Sequence, residues 1–163
     1  MVLFGRNLSP FTRRVAIWCA LQGREVERRQ VMVTGPEWET LKDVTPVGRV
    51  PALVLEDGTV LVESSAIIDW LEDSAPEGKR LLPPTGTARR DMLQLIGRAT
   101  SISEKGVNLV YERTRRPEQF HWLDYHARIE SQITSGLAEL EAMAPASGWF
   151  GGDAPNAADI SVV

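Results

Sequence analysis

The sequence predicts two domains, a mixed α/β domain followed by a domain built only of helices. Short apolar runs alternate with helical patterns from residue 1 to about residue 74. The stretch APEGKRLLPPTG at 75–86 then interrupts both patterns with three prolines and two glycines. After it only helical periodicity continues, and 163 residues suffice for two small domains with cores of their own.

Four elements are predicted before residue 45. MVLFG at 1–5 is a short apolar run typical of a strand, and PFTRRVAIWCALQG at 10–23 is a helix with Pro10 in its first turn. REVERRQVMV at 24–33 carries valines typical of a strand, and GPEWETLKDV at 35–44 is a short helix. The predicted order is therefore β-α-β-α.

A hairpin and a third helix complete the first half. RVPALVLEDGTVLVE at 49–63 contains two apolar runs joined by Asp57-Gly58, a dipeptide favoured in tight hairpin turns. SSAIIDWLEDS at 64–74 follows, with serines at its start, where helix amides need acceptors. We expect an antiparallel strand pair followed by a helix.

Two long amphipathic helices are predicted in the second half, from Thr87 to about Thr114 and from Glu118 to Met143. Apolar residues recur at spacings of three and four in both. Those of the first are Met92, Leu95, Ile96, Ala99, Ile102, Leu109 and Val110. Those of the second are Phe120, Leu123, Ile133, Leu137 and Leu140.

The last predicted helix begins at NAADI. Asn156 is its expected N-cap, and Asp159 takes the third helical position of a capping box. A helix that ended at Val163 would have less than two turns and would not be stable in water by itself. We therefore expect further helices after Val163 in the native protein.

Composition limits the possible functions. Hydrophobic residues make up 43% and charged residues 25%, with a formal net charge of -4, a profile that favours a globular protein over a disordered or nucleic-acid-binding one. The apolar run VAIWCAL at 15–21 is far shorter than the roughly 20 residues of a membrane span, and the first residues lack signal-peptide features. These features predict a cytoplasmic protein that does not bind membranes.

The single cysteine and the two histidines give no sign of redox or metal chemistry. Cys19 cannot form an internal disulfide, and its place beside Val15 and Trp18 on the apolar side of the first helix predicts a buried thiol. His121 and His126 have no third ligand in view, so we expect no metal site. Thiol chemistry would need a thiol from outside the chain.

Four motifs occur in an informative order: SPFTRRV at 9–15, TPVGRVPALV at 45–54, ESSAIIDWL at 63–71 and NAADI at 156–160. Each is weak alone. Together with the order β-α-β-α-β-β-α and the following helices, they make the chain resemble the glutathione transferase family, with a serine motif similar to that of tau and zeta transferases.

The resemblance implies a thioredoxin-like glutathione-binding domain at 1–76, a linker at 77–85 and an incomplete helical substrate domain at 86–163. It implies an enzyme of detoxification, a homodimer in the cytoplasm, that binds glutathione and a small hydrophobic electrophile. A glutathione-dependent isomerase or dehalogenase, or a non-catalytic protein-interaction module, are the alternatives.

Ser9 is the candidate catalytic residue. It precedes the helix that begins at Pro10, where free amides and the helix dipole favour an anion. The resemblance implies that its hydroxyl stabilises the glutathione thiolate, whereas the alternative is a plain N-cap serine. Thr12 and Asn7 are competing donors.

The resemblance also implies a glutathione site along the chain before and after the hairpin. Val50 and Pro51 would form a cis peptide that leaves the Val50 backbone free to pair with the cysteinyl part of the ligand, and Arg49 would lie near its glycyl end. Glu63 and Ser64 would hold the γ-glutamyl α-amino and α-carboxylate groups. The alternatives are that Pro51 is trans and opens an edge strand, and that Arg49 is only solvated. For Glu63 and Ser64 the alternative is simple helix capping.

An electrophile pocket is predicted from four residues, Leu8, Phe11, Tyr111 and Arg115. The resemblance would place this pocket between the two domains. Apolar residues at helical spacing more often belong to a core, which is the alternative for these positions.

Overall fold

The chain divides into two compact units, Met1–Leu82 and Pro83–Val163. The structure, a computed structural model, describes residues 1–162. The division lies inside the predicted linker at 77–85. Leu82 is 5% exposed and packs with the first unit, which therefore takes in most of that segment.

The first unit has the predicted order β-α-β-α-β-β-α. Its elements are β1 Val2–Phe4, α1 Pro10–Leu21, β2 Glu27–Arg29, α2 Pro36–Val44, β3 Ala52–Val54, β4 Val60–Val62 and α3 Ser64–Asp73. The strands form one sheet in the order β2-β1-β3-β4, with β1 parallel to β2 and antiparallel to β3, and β3 antiparallel to β4. This is the thioredoxin-like arrangement that the resemblance implies.

The two faces of the sheet are covered by different helices. Phe4 and Ala52 are paired in the sheet and form a buried cluster with Leu41 of α2. Leu3 and Leu53, also paired and fully buried, point to the opposite face because side chains alternate along a strand. Helix α1 contacts both β1 and α3, so α1 and α3 pack against each other.

The predicted hairpin is confirmed. The turn places Gly58 at φ 85°, a left-handed conformation that glycine adopts at little cost. The Asp57 carboxylate accepts a hydrogen bond from the Thr59 amide at 2.9 Å and so holds the turn closed.

The second unit is helical, with α4 Gly86–Thr114, α5 Leu123–Met143 and α6 Ala157–Val162. Helix α4 packs against both others. Gly136 of α5 lies so close to Ile102 of α4 that an added Cβ would come within 2.6 Å of the isoleucine side chain. Every helix of residues 1–162 is either too short or too polar to span a lipid bilayer.

The capping box at the start of α6 is confirmed. The Asn156 side chain accepts a hydrogen bond from the Ala158 amide at 2.9 Å, and the Asp159 carboxylate accepts one from the Asn156 amide at 2.9 Å. Asp159 also accepts a hydrogen bond from the Phe150 amide at 2.9 Å, which fixes the preceding loop.

The predicted start of the second long helix is wrong. Residues Glu118–Phe120 form a separate 3-10 turn, and α5 begins at Leu123 because His121 and Trp122 have extended backbones. The apolar face is also smaller than its spacing indicates, since Phe120, Leu123 and Leu137 are 63%, 72% and 53% exposed.

A buried carboxylate joins three segments of the first unit. Glu72 of α3 is 2% exposed and accepts hydrogen bonds from Trp18 Nε1 at 2.8 Å and from Gln22 Nε2 at 2.9 Å. It also accepts from the amides of Leu81 and Leu82, each at 3.1 Å. A buried charge is tolerated when its hydrogen-bonding capacity is used in this way.

We expect Glu72→Ala to lower the free energy of unfolding by at least about 3 kcal/mol, because it leaves three buried donors and the half-buried Leu81 amide without an acceptor. Urea denaturation followed by circular dichroism measures the change. Glu77→Ala, at an exposed position of the same unit, is the control and should stay within about 0.5 kcal/mol of the unaltered chain. Equal stability of the two variants would contradict this role of Glu72.

Candidate functional site

Ser9 caps helix α1. Its backbone is extended, with φ -73° and ψ 118°, and its half-buried side-chain oxygen accepts a hydrogen bond from the Thr12 amide at 3.3 Å. Pro10 occupies the first turn and has no amide hydrogen of its own. The amides of this turn point along the helix axis and create a partial positive charge at Ser9.

The capping bond leaves the hydroxyl hydrogen of Ser9 available. A serine hydroxyl has one donor hydrogen and two acceptor lone pairs, and the Thr12 amide uses one lone pair. The side chain can therefore cap α1 and still donate to an external anion. Capping and anion stabilisation, which compete as interpretations of the sequence, are compatible in this geometry.

Thr12 and Asn7 are placed differently from Ser9. Thr12 is fully buried, and its Oγ1 lies against Gly5, where an added Cβ would come within 2.4 Å of it. Asn7 is exposed, and its side-chain oxygen accepts a hydrogen bond from Arg28 Nη2 at 2.8 Å. This geometry favours Ser9, the half-buried hydroxyl, as a donor to an external ligand.

The segment before β3 has an unpaired backbone. The Val50–Pro51 peptide bond is cis. Among residues 1–162, neither the amide nor the carbonyl of Val50 has a hydrogen-bond partner, and Val50 is half-buried beside the buried Pro51. Arg49 is exposed. These groups are available to a ligand that runs alongside the strand.

Glu63 and Ser64 lie at the start of α3. Glu63 has φ 69°, a left-handed conformation that costs a residue with a side chain roughly 1–3 kcal/mol. Its carboxylate accepts hydrogen bonds from the Ser65 amide at 2.9 Å and from the Ser64 hydroxyl at 3.3 Å. Ser64 is 1% exposed, whereas Glu63 is exposed to solvent.

Arg14 is a residue of this region that the sequence analysis missed. It is 5% exposed in the middle of α1, and its Nε and Nη1 atoms are buried without a hydrogen-bond partner. Burial lowers the pKa of the Arg14 guanidinium, and the nearby Glu63 charge acts in the opposite direction. The sequence feature that could have identified Arg14 is its position four residues before Trp18, which puts a charged residue on the apolar face of α1.

The four residues of the predicted electrophile pocket belong to different units. Leu8 is 80% exposed and Phe11 is half-buried in the first unit. In the second unit the Arg115 guanidinium lies 4.0 Å above the Tyr111 ring, a cation-π contact at an exposed site. The shared pocket stays a prediction.

The histidines make contacts within the second unit. His121 Nε2 lies 3.0 Å from the Arg116 carbonyl oxygen, and the rings of His121 and His126 are 5.3 Å apart. No group of three metal-ligating side chains occurs among residues 1–162.

The chain resembles known proteins along its length. Residues 3–79 match the family model of the glutathione S-transferase N-terminal domain. The glutathione S-transferase GstA of Escherichia coli O157:H7 is 29% identical over 116 residues, which are 71% of this chain and 55% of that protein. The chain thus matches about half the length of GstA.

Two further similarities extend over almost the whole chain. The maleylacetoacetate isomerase of Pseudomonas aeruginosa is 30% identical over 172 aligned positions, covering 100% of this chain and 78% of that protein. A solved glutathione S-transferase of Methylobacillus flagellatus, with glutathione bound, has a TM-score of 0.87 at 26% identity and covers 98% of this chain and 78% of that one.

Cys19 should be chemically inert in the folded protein. It is 2% exposed, and burial raises the pKa of its thiol, so less thiolate exists at any given pH than in a free cysteine. We expect no reaction with a disulfide reagent at pH 8 until denaturant is added, and then one thiol per chain. Stoichiometric labelling of the native protein would contradict this expectation.

Proposed function

Because the chain belongs to the glutathione transferase family, we propose that it activates glutathione as a thiolate for attack on a small hydrophobic electrophile. The observation that carries the proposal is the Ser9 hydroxyl, which caps α1 through its oxygen and keeps its hydrogen for a ligand. The glutathione bound to the transferase of Methylobacillus flagellatus supports the choice of co-substrate.

The proposed chemistry of Ser9 is energetically sufficient. A free thiol has a pKa of about 8.5, and lowering it by two units takes about 2.7 kcal/mol. A hydrogen bond to a charged acceptor supplies roughly 1.5–3 kcal/mol, and the end of a helix supplies about 0.3–1 kcal/mol. Ser9 and the amide end of α1 together would therefore hold a thiolate at neutral pH.

The remaining contacts would hold the rest of glutathione. The free amide and carbonyl of Val50, next to Pro51, would pair with the cysteinyl backbone as an added strand does. The Glu63 carboxylate would receive the γ-glutamyl α-amino group. The amide end of α3 at Ser64 would receive its α-carboxylate, while the Ser64 hydroxyl donates to Glu63 or turns to the ligand. Arg49 would lie near the glycyl end.

In the reaction, the sulfur atom forms a bond to an electrophilic carbon, and the leaving group departs with the electron pair of the broken bond. The thiol proton goes to solvent when the thiolate forms. Holding both reactants together supplies the rest of the rate enhancement. Leu8, Phe11, Tyr111 and Arg115 are proposed to contact the electrophile.

A second candidate function is a glutathione-dependent isomerisation, favoured by the whole-chain similarity to a maleylacetoacetate isomerase. The same thiolate would add to an activated carbon and leave again after a bond rotation, so glutathione would not be consumed. Measuring glutathione loss against product formed separates the two reactions.

We also propose that the protein is a cytoplasmic homodimer that acts in detoxification. Its one cysteine is buried and forms no disulfide, which suits a reducing compartment. The β4 residues Val60 and Val62 are 38% and 44% exposed, apolar surface that a second subunit would cover.

Ser9→Ala should separate binding from chemistry. Without the donor, the pKa of bound glutathione returns toward about 8.5, so at pH 6.5 the thiolate fraction and the conjugation rate fall roughly fiftyfold. Above pH 9 the conjugation rates of Ser9→Ala and of the unaltered chain should agree within about twofold. The pH-rate profile with a chloronitrobenzene, beside glutathione affinity by calorimetry, measures this.

Ser9→Thr, which keeps a hydroxyl, is the matched control and should keep a profile close to that of the unaltered chain. Thr12→Val tests the competing donor. If Ser9→Ala keeps the original pH profile and Thr12→Val loses it, the donor is Thr12 and the assignment of Ser9 is wrong.

Glu63→Ala and Ser64→Ala should each weaken glutathione binding by about 1.5–3 kcal/mol, roughly tenfold to a hundredfold, because each removes a hydrogen bond to a charged group. Calorimetry measures the affinities. Ser65→Ala is the control, since its amide, which donates to Glu63, is unchanged. Affinities equal to that of Ser65→Ala, with native circular dichroism, would remove Glu63 and Ser64 from the site.

A further inference from the structure

A tight turn carries the candidate catalytic serine. The Ser9 amide donates a hydrogen bond to the Arg6 carbonyl oxygen at 3.0 Å, which closes a four-residue turn with Asn7 and Leu8 at its centre. Ser9 is both the last residue of this turn and the N-cap of α1. The orientation of the turn therefore sets the backbone from which the Ser9 hydroxyl projects.

Strand β2 holds the middle of this turn through Arg28. Arg28 lies in β2, paired with Leu3 of β1, and its Nη2 donates a hydrogen bond to the Asn7 side-chain oxygen at 2.8 Å. A guanidinium carries only donors, so the Asn7 amide must turn its oxygen toward Arg28. This charge-assisted bond ties the turn to a strand of the sheet.

Two other side-chain contacts of the turn are weaker. Arg13 Nη1 lies 3.5 Å from the Asn7 carbonyl oxygen, which is longer than the usual N–H···O distance. The Arg6 guanidinium contacts the sulfur of Met32, a weak acceptor. The bond from Arg28 is shorter than the first and has a better acceptor than the second, so it restrains the turn more firmly than either.

Fold stability does not account for the placement of Arg28. Its side chain is half-buried, and its Nε is buried without a hydrogen-bond partner among residues 1–162. A buried donor without a partner destabilises the folded state. The guanidinium binds Asn7, an exposed residue whose oxygen could bond to water instead. What the bond provides is a fixed position for the turn.

We propose that Arg28 is a positioning residue of the glutathione site, which acts through Asn7 to keep the Ser9 hydroxyl directed at the glutathione sulfur. The inference rests on the proposed function and names the groups that hold its hydrogen-bond donor in place. Arg28 and Asn7 are assigned no contact with the sulfur. Their effect is on direction, because a hydrogen bond weakens steeply when its donor is misaligned.

Arg28→Met should impair thiolate formation more than glutathione binding. It removes the bond to Asn7 but keeps a side chain of similar length in the half-buried position. With the turn loosened, the conjugation rate with a chloronitrobenzene should fall about fivefold to tenfold at pH 6.5, and recover to within about twofold above pH 9. Glutathione affinity by calorimetry should change less than about threefold, because Val50, Glu63 and Ser64 are untouched.

Two variants separate the hydrogen bond from the charge. Arg28→Lys keeps a charged donor for Asn7 and should keep the rate at pH 6.5 within about threefold of that of the unaltered chain. Arg29→Met removes a charge from the next residue of β2, where Arg29 is exposed and paired with Glu27. It should leave the pH-rate profile unchanged.

Two variants of Asn7 show whether it links Arg28 to the turn or donates to the sulfur itself. Asn7→Leu removes the acceptor and should reproduce the loss seen in Arg28→Met. Asn7→Asp keeps an oxygen for Arg28 but removes the amide donors, so the rate at pH 6.5 should stay within about threefold. In the Asn7→Leu background, adding Arg28→Met should change the rate by less than about twofold.

The inference is overturned if Arg28→Met or Asn7→Leu keeps the original pH-rate profile, or if Arg28→Met still lowers the rate in the Asn7→Leu background. A loss in Arg28→Lys, Arg29→Met or Asn7→Asp as large as that in Arg28→Met would overturn it as well. If circular dichroism shows that Arg28→Met does not fold, Arg28→Lys and the two Asn7 variants decide by the same criteria. Absence of glutathione binding by the unaltered chain would instead overturn the proposed function, and this inference with it.

Discussion

The first unit depends on the buried carboxylate of Glu72. Four donors from α1 and from the chain after α3 converge on it, at distances of 2.8 to 3.1 Å. These bonds set how α1 and α3 lie together, because Trp18 and Gln22 belong to α1 or its C-cap and Glu72 belongs to α3. They also bring Leu81 and Leu82 back onto this unit.

The polar ends of these two helices carry the candidate site. Ser9 caps α1 and Glu63 caps α3, so amide groups and helix dipoles are directed at both positions. Apolar packing supports both helices, since Trp18 of α1 and Leu71 of α3 are fully buried. The candidate site is thus made of groups at helix ends, which the helices cannot satisfy internally.

Glu72 and Arg14 are two buried polar side chains that differ in how far their hydrogen bonds are made. Glu72 accepts hydrogen bonds from Trp18, Gln22 and the Leu82 amide, so its burial stabilises the packing of α1 against α3. Arg14 has two buried donor atoms, Nε and Nη1, that lack a hydrogen-bond partner among residues 1–162. The hydrogen bonds of Glu72 offset the cost of its burial, whereas the two unpaired donors of Arg14 add to the cost of burying that side chain.

The sequence by itself determined the order of elements, the Asp57-Gly58 turn and the capping box at Asn156, because capping and turn formation depend on neighbours in the chain. The roles of Ser9, Glu63 and Ser64 are implied by the family resemblance and stay predictions. The helical spacing predicted a start of the second long helix that is too early and an apolar face that is too large. Phe120 and Leu123 satisfy this spacing but are exposed. The hydrogen bonds of Glu72 with Trp18 and Gln22 join residues about fifty positions apart. Only the tertiary structure decided these bonds and the burial of Arg14, because both depend on which elements pack together.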